Sequence, residues 1–316
     1  MKALVCLLNY DKYCRPGVEA LEKYGFELKM NPYGRKYTQE ELLEDIKDVD
    51  AVVADNEPWG ELSFSGAKNL KVVAKVGTGL DNFDLEAAKR HGVIVANCAG
   101  ANSNTVAENT VAHLLCAARR LPCQVDSVKK GEWPRMICHE FAGRTLGILG
   151  FGAIGQLVAQ KMSGWGMKIV AYDKFPNMAR AEALGVTMVS LEEVISQSDY
   201  MTIHLPYMQD THHIINDENI AKMRDGVVIV NTARGMIADE EAVCRGLATG
   251  KLGAYGSDVF EKEPSTADNP LFAFENYFCT PHISGDAFET MRSYGRMTAQ
   301  IIIDVFEGRE PKNRKA

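Results

Sequence analysis

Apolar and polar residues alternate along the chain in two rhythms. Short unbroken apolar runs, bounded by Gly, Asp or Asn, read as strands buried on both faces. Early in the chain these are ALVCLL (3–8), DAVVAD (50–55), KVVAKV (71–76) and GVIVANC (92–98). Between them the period lengthens to that of a helix. PGVEALEKYG (16–25) opens on proline and closes on glycine, as a short helix does. TQEELLEDIKD (38–48) begins Thr38-x-x-Glu41, a capping box, and sets Leu42, Leu43 and Ile46 on one face.

A longer helix is predicted over NTVAENTVAHLLCAARRL (104–121). Val106, Val111, Leu114, Leu115 and Ala118 form its apolar stripe, Thr105-x-x-Glu108 offers a second capping box, and Pro122 is expected to stop it. KKGEWPRMICHEFAG (129–143) reads as an irregular connection. A second series then begins at Arg144. Its strands are TLGILG (145–150), KIVAYD (168–173), YMTIHLP (200–206), GVVIVNTA (226–233), GAYGSDVF (253–260) and NYFCT (276–280). Its helices are AIGQLVAQKMSGWG (153–166), SLEEVISQS (190–198) and DEEAVCRGLATG (239–250). Strands alternating with helices predict parallel sheets with right-handed crossovers, hence an α/β fold of two doubly wound parallel-sheet domains. The last helix, RMTAQIIIDVFEG (296–308), is expected to pack back on the first domain, which makes that domain discontinuous.

Composition narrows the class. The 316 residues are 46% hydrophobic and 24% charged, enough to bury two cores and too apolar for a disordered chain. The formal net charge of −7 argues against nucleic acid or an anionic membrane as partner. No apolar run reaches the length of a membrane span, and 3–8 is too short for a secretion signal. The eight cysteines form no CxxC pair and mostly sit in apolar runs, so a cytoplasmic, reducing location is expected. No metal site is expected either. Cys138-His139 and His212-His213 are the nearest approach to ligand spacing, and neither makes a cluster.

The chemistry is carried by the second series. Gly150-x-Gly152-x-x-Gly155 directly follows a strand and opens a helix, and the next strand ends on Asp173. A bare glycine motif marks only a turn; this context is that of a dinucleotide site. Gly150 permits the tight turn, Gly152 the approach of a pyrophosphate, and Gly155 the packing of helix on strand. The helix N-terminus offers free N–H groups to phosphate. Asp173 can accept the ribose hydroxyls and repel a 2′-phosphate, which favours NAD over NADP, although Lys174 stands beside it.

Three further residues fall at successive strand ends. Arg234 follows one strand, Glu263 the next, and His282, in CTPHISG, the one after. A guanidinium at the carboxyl edge of such a sheet can grip a carboxylate bidentately. Glu263 beside His282 favours the charged imidazole, which makes it a proton donor to a carbonyl and an acceptor from a hydroxyl. Alone, each is an ordinary surface or turn residue. Together they supply what hydride transfer to a 2-oxo acid requires.

GILGFGAIG, NTARG, SDVFEKEP and TPHISG, with KVGTGLDNFDL and NTVAENT in the first half, resemble the D-isomer-specific 2-hydroxyacid dehydrogenases. The resemblance implies a Rossmann NAD-binding domain, 99–289, inserted into a discontinuous flavodoxin-like substrate domain, 1–98 and 290–316. It implies NAD as cofactor, a small 2-hydroxy or 2-oxo acid as substrate, and Arg234, Glu263 and His282 as the catalytic residues. Gly150, Gly152, Ala153, Ile154, Gly155, Asp173, His204, Pro206, Thr232, Ala233 and Gly285 would line the cofactor, and Asp258 would face the nicotinamide carboxamide. Backbone N–H groups around Val76 and Gly77, with Lys75 and Arg234, would hold the substrate. A homodimer through the helix near 104–120 is also implied.

Departures from the family pattern bear on the substrate. Ala153 stands where the loop usually carries arginine, and Asp286 adds a negative charge beyond the histidine. Where phosphoglycerate dehydrogenases often carry an arginine, this chain reads Ala54-Asp55-Asn56-Glu57, whose carboxylates would repel a phosphate unless Lys75 and Arg135 compensate. Phosphoglycerate and hydroxypyruvate or glyoxylate are therefore alternative substrates within the family. Outside enzymes, an NAD-binding corepressor-like interaction protein shares its fold. No regulatory extension follows residue 316, so feedback through one is not expected.

Overall fold

Twelve strands pair in two sheets, and every ladder between them is parallel. They are described here from a computed structural model of residues 1–316. One compact unit comprises Met1–Asn102 and Asp286–Ala316, the other Ser103–Gly285.

The first unit holds β1 (Lys2–Val5), β2 (Glu27–Met30), β3 (Ala51–Ala54), β4 (Val72–Lys75) and β5 (Ile94–Asn97) in the order β2-β1-β3-β4-β5. The strands run apolar throughout because both faces are covered. Ala3, Val5, Ala51, Val53, Val72 and Ala74 meet Val18, Leu21, Tyr294 and Ile302 from the helices Arg15–Tyr24 and Phe288–Phe306. The alternate residues Leu4, Val52, Ala54 and Val73 meet Leu42, Ile46, Phe64 and Ala87 from the other face. The capping box at Thr38 forms in full: Thr38 accepts from the Glu41 N–H and Glu41 accepts from the Thr38 N–H. β2 was not visible as an apolar run. It is an edge strand whose residues alternate between exposed and half-buried.

Helices Arg15–Tyr24 and Phe288–Phe306 pack with almost no side chain between them. A Cβ on Gly17 would lie 2.4 Å from the Gly295 carbonyl oxygen, and one on Gly295 would lie 2.5 Å from that of Cys14. The Tyr10 hydroxyl bonds the Thr298 hydroxyl at 2.7 Å beside this contact. Two glycines thus tie the chain's last long helix to its first.

The second unit holds β6 (Thr145–Leu149), β7 (Lys168–Tyr172), β8 (Thr187–Met188), β9 (Tyr200–Ile203), β10 (Val227–Asn231), β11 (Leu252–Ser257) and β12 (Tyr277–Cys279). Their order is β12-β11-β10-β9-β6-β7-β8, so the winding reverses between β6 and β9. At such a reversal the loops at the carboxyl ends diverge and leave a crevice where ligands bind. Gly150 and His204 stand there. Helix Leu191–Gln197 forms the expected capping box on Ser190 and Glu193, and helix Glu240–Thr249 ends on Gly250 in the left-handed region.

Two sequence expectations need correction. The long helix runs from Ser103 to Arg119, so Thr105 lies inside its first turn and cannot cap it. Pro122 does not simply end it. Arg120 turns through φ 49°, and a second helix, Leu121–Lys129, starts with the proline in its first turn. A missing N–H costs nothing there.

Gly295→Ala is expected to lower the unfolding free energy by about 1–3 kcal/mol, because the helices must separate to admit the methyl group. Urea denaturation measures this, and an unchanged midpoint would contradict the close crossing.

Candidate active site

The glycine loop is shaped by contacts no other residue would allow. Gly150 has φ 96°, and a Cβ there would lie 2.7 Å from the His204 carbonyl carbon. A Cβ on Gly155 would lie 2.1 Å from the Gly150 carbonyl oxygen. Gly152 differs: nothing lies within 4 Å of the position its Cβ would take. It is the N-cap of helix Ala153–Met162, and no side chain caps that helix. The first N–H groups of this helix, uncapped by any side chain, lie at the positive end of its dipole beside the open position of Gly152, an arrangement that fits a pyrophosphate.

Asp173 follows β7 and is braced by backbone. Its Oδ2 accepts from the Phe151 N–H at 2.7 Å and its Oδ1 from the Phe175 N–H at 2.8 Å. Each oxygen keeps a second lone pair for a ribose hydroxyl. Lys174 is turned to Asp210, with Nζ 2.9 Å from Oδ2. Across the crevice, both ring nitrogens of His204 are sealed from solvent with no partner. Burial pushes its pKa down to about 3, so the ring is neutral. Orphaned buried nitrogens of this kind suit a ligand group that would satisfy them. Pro206 accepts from the Thr211 hydroxyl at 2.7 Å, which folds its loop back. A dinucleotide fits this set of residues.

Arg234 is presented by a side-chain bracket. Asn231, the last residue of β10, accepts from the Ala233 N–H at 3.0 Å and donates to the Arg234 carbonyl at 2.9 Å. The next residue, Gly235, lies against the backbone of Phe260, where any Cβ would collide. The NTARG string is thus a turn fixed by asparagine at one end and glycine at the other. Thr232 is buried and its hydroxyl meets that of Thr110 at 2.8 Å.

Glu263 and His282 meet directly. Glu263 Oε2 lies 2.7 Å from His282 Nδ1, and its Oε1 accepts from the Phe260 N–H at 3.0 Å. Burial works against the Glu263 charge, but His282, the Phe260 N–H and the Arg234 cation together hold its carboxyl below the usual range. The three residues read from separate strand ends therefore form one electrostatic group. Asp258 lies beneath it, fully buried. Its Oδ1 accepts from the Ile283 N–H at 2.9 Å and its Oδ2 from the Ser284 N–H at 2.7 Å. The carboxylate expected to face a nicotinamide is also the anchor of the histidine loop. Gly285 follows Ser284 and closes the unit.

Lys75, Val76 and Gly77 belong to the first unit, at the carboxyl end of β4. Lys75 is buried, and its Nζ donates to the Val76 carbonyl at 2.5 Å. The Val76 N–H donates to the Ala54 carbonyl at 2.9 Å. This corrects the expectation that it helps to hold a substrate carboxylate: the ladder with β3 runs one residue further and takes it. Gly77, at φ 87°, remains from that pair. Asn231 and the residues that hold Asp258 had no sequence signal beyond a turn-forming type in a loop.

Residues 111–284 match the model of the D-isomer specific 2-hydroxyacid dehydrogenase NAD binding domain. The chain belongs to this family. It is 34% identical over 316 residues to the D-3-phosphoglycerate dehydrogenase of Archaeoglobus fulgidus, covering 99% of this chain and 59% of that one. It thus spans less than two thirds of that relative's length. It is 40% identical over 289 residues to the hydroxypyruvate reductase of Thermotoga maritima, covering 88% of this chain and 93% of that one. The apo-structure of D-lactate dehydrogenase from Escherichia coli superposes with a TM-score of 0.89 at 28% identity, over all of both chains.

Asp173→Ala removes both the ribose acceptor and the brace on the loop. The ratio of kcat/KM for NADH over NADPH is expected to fall about 10- to 100-fold, the worth of a hydrogen bond to a charged group. A variant as selective as the parent would exclude Asp173 from cofactor choice.

Proposed function

We propose that this chain is an NAD-dependent D-2-hydroxyacid dehydrogenase that interconverts a small 2-oxo acid and its 2-hydroxy acid. The observation that carries the reading is the Glu263–His282 pair at 2.7 Å beside Arg234. The reduced nicotinamide supplies the hydride when bound. Glu263 fixes Nδ1 of His282, which leaves Nε2 to give its proton to the carbonyl oxygen as the hydride reaches the carbon. In the reverse direction the same nitrogen takes the proton from the hydroxyl. Arg234 binds the substrate carboxylate and, after the His282 contact and the Phe260 N–H, adds to the hold that keeps the Glu263 carboxyl below its usual range.

Asp55 and Glu57 follow β3 beside Lys75 at the end of β4, whose register pairs Ala54 with Lys75. Burial and then Asp55 push the Glu57 carboxyl up, so Asp55 is the acidic group that disfavours a second anion on the substrate. The favoured substrates are therefore unphosphorylated, as in the relative named hydroxypyruvate reductase, rather than 3-phosphohydroxypyruvate. A reducing, cytoplasmic setting suits eight free cysteines. No helix is long and apolar enough to cross a membrane.

A homodimer is the assembly we favour. The helix Ser103–Arg119 buries Val106, Ala107, Leu114 and Ala117 within its own unit. The next helix carries Leu121, Val125 and Val128 exposed on one face, and Trp133 and Ile137 follow, also exposed. Contiguous apolar exposure of this kind marks an interface.

NADH oxidation is expected with glyoxylate, hydroxypyruvate or pyruvate, and more slowly with 3-phosphohydroxypyruvate. His282→Asn should cut kcat by about 10²- to 10⁴-fold with NADH affinity kept, and Arg234→Ala should raise the KM of the 2-oxo acid about 10- to 100-fold. Tight NADH binding with no turnover of any of the four acids would point instead to an interaction protein. In sedimentation velocity the parent should run as a dimer and Val125→Glu/Val128→Glu as a monomer; a monomeric parent removes the assembly.

A further inference from the structure

His282 sits in a backbone conformation that its own residue type resists. Its φ is 55°, in the left-handed region. A residue with a Cβ pays about 1–2 kcal/mol there and stays only when its surroundings hold it. The hold comes from Asp258, which takes the two N–H groups directly after the histidine.

Asp258 is held in turn. The Thr280 hydroxyl donates to its Oδ1 at 2.5 Å. Behind Thr280 lies His113, from the middle of the helix Ser103–Arg119, with Nε2 3.1 Å from the Thr280 oxygen. Its Nδ1 faces the Asn109 carbonyl oxygen at 2.9 Å, and its ring lies on Phe278 with centroids 4.8 Å apart. The same helix touches the loop again, where Asn109 Nδ2 donates to the Ser284 hydroxyl at 2.6 Å. His113 is 2% exposed, in a row where the sequence pattern calls for an apolar residue.

Proton supply explains why an imidazole stands there. The Asn109 carbonyl takes the proton on Nδ1, so Nε2 of the neutral ring is an acceptor, and the one Thr280 hydroxyl proton lies between Nε2 and Asp258 Oδ1. Burial pushes the His113 imidazole below its ordinary value, while the Asn109 carbonyl, the Asp258 charge and the Ser257 carbonyl pull it back up. Asp258 is the charged group that faces it. A leucine of similar size would fill the space and leave the Thr280 oxygen without its second partner.

We propose that His113 is a positioning residue for the proton-carrying loop: through Thr280 it holds Asp258, and Asp258 holds the backbone that carries His282. The proposal rests on the reading of His282 as the proton carrier. His113 touches neither cofactor nor substrate. It acts by keeping the Asp258 carboxylate in one place, so that the imidazole above it stays aligned.

The test is steady-state kinetics of the full chain with NADH and the best 2-oxo acid, alongside thermal melting. His113→Leu is expected to lower kcat about 10- to 100-fold, with both KM values within about threefold of the parent, since a shift of under an ångström costs that much in rate. Thr280→Val should behave alike, and the double variant should cost no more than the worse single, because both break one row. His113→Gln keeps a polar group facing the Thr280 hydroxyl and should recover most of the loss. Leu114→Ala, next to it in the same helix, measures general loosening: it should lower the melting temperature at least as far while kcat stays within about twofold. His113→Leu with parental kcat, beside an inactive His282→Asn, overturns the inference and leaves the reading of His282 intact. Parental kcat in both variants overturns that reading. A His113→Gln variant as slow as His113→Leu, or a Leu114→Ala variant that loses as much kcat, reduces His113 to packing and also overturns the inference.

Discussion

A buried carboxylate must be met by donors, and at Asp258 those donors are two backbone N–H groups of the histidine loop and the Thr280 hydroxyl. This one requirement organises the second unit's reactive edge. β11 and β12 pair with Ser257 opposite Cys279, so Asp258 and Thr280 leave the sheet side by side. The loop after Thr280 then has to fold over the carboxylate, because its N–H groups are the donors within reach. Folding over forces His282 into the left-handed region, and the imidazole is left pointing away from the carboxylate that its backbone covers. Glu263, one loop away, receives it. A strained residue at a reactive site is the usual outcome when surroundings over-determine a conformation.

The same economy of space governs the other turns at this edge. Gly150, Gly155 and Gly235 each stand where a Cβ would strike another backbone segment. These contacts bring a strand end, a helix start and the following loop to within a van der Waals radius of each other. Gly152 alone has open space in front of it. The distinction separates glycines that build the site from the one that admits a ligand. A motif of evenly written glycines hides that difference until the backbone is known.

The sequence carried most of the fold because its strands are buried on both faces and so read as continuous apolar runs. Where burial was one-sided, the signal failed: β2 alternates with exposed charges, and β8 is only two residues long. Thr38 and Ser190 formed capping boxes, but Thr105, in the same pattern, did not. A capping box is a local preference, and in that helix packing extended the first turn past it. The meeting of Glu263 with His282 and the tight glycine turn were legible because strand-end position and residue type agreed. His113 was not, since it sits on an apolar helical stripe and its partner lies far away in sequence. Val76 shows the opposite error. Its place was read correctly, but whether its N–H was free depended on how far one ladder runs.

An acidic protein that binds an acidic dinucleotide needs positive charge only where the ligand touches. At physiological ionic strength, charges more than about 8–10 Å away are largely screened, so the net charge of −7 says little about the crevice. The positive elements there are short-ranged: an uncapped helix end, the Arg234 guanidinium, and an imidazole paired with Glu263. Each is fixed by backbone, through Gly152, Asn231 and Asp258 respectively. Geometry therefore does the work that overall charge does in a nucleic-acid-binding protein. The surface can remain acidic without weakening the site.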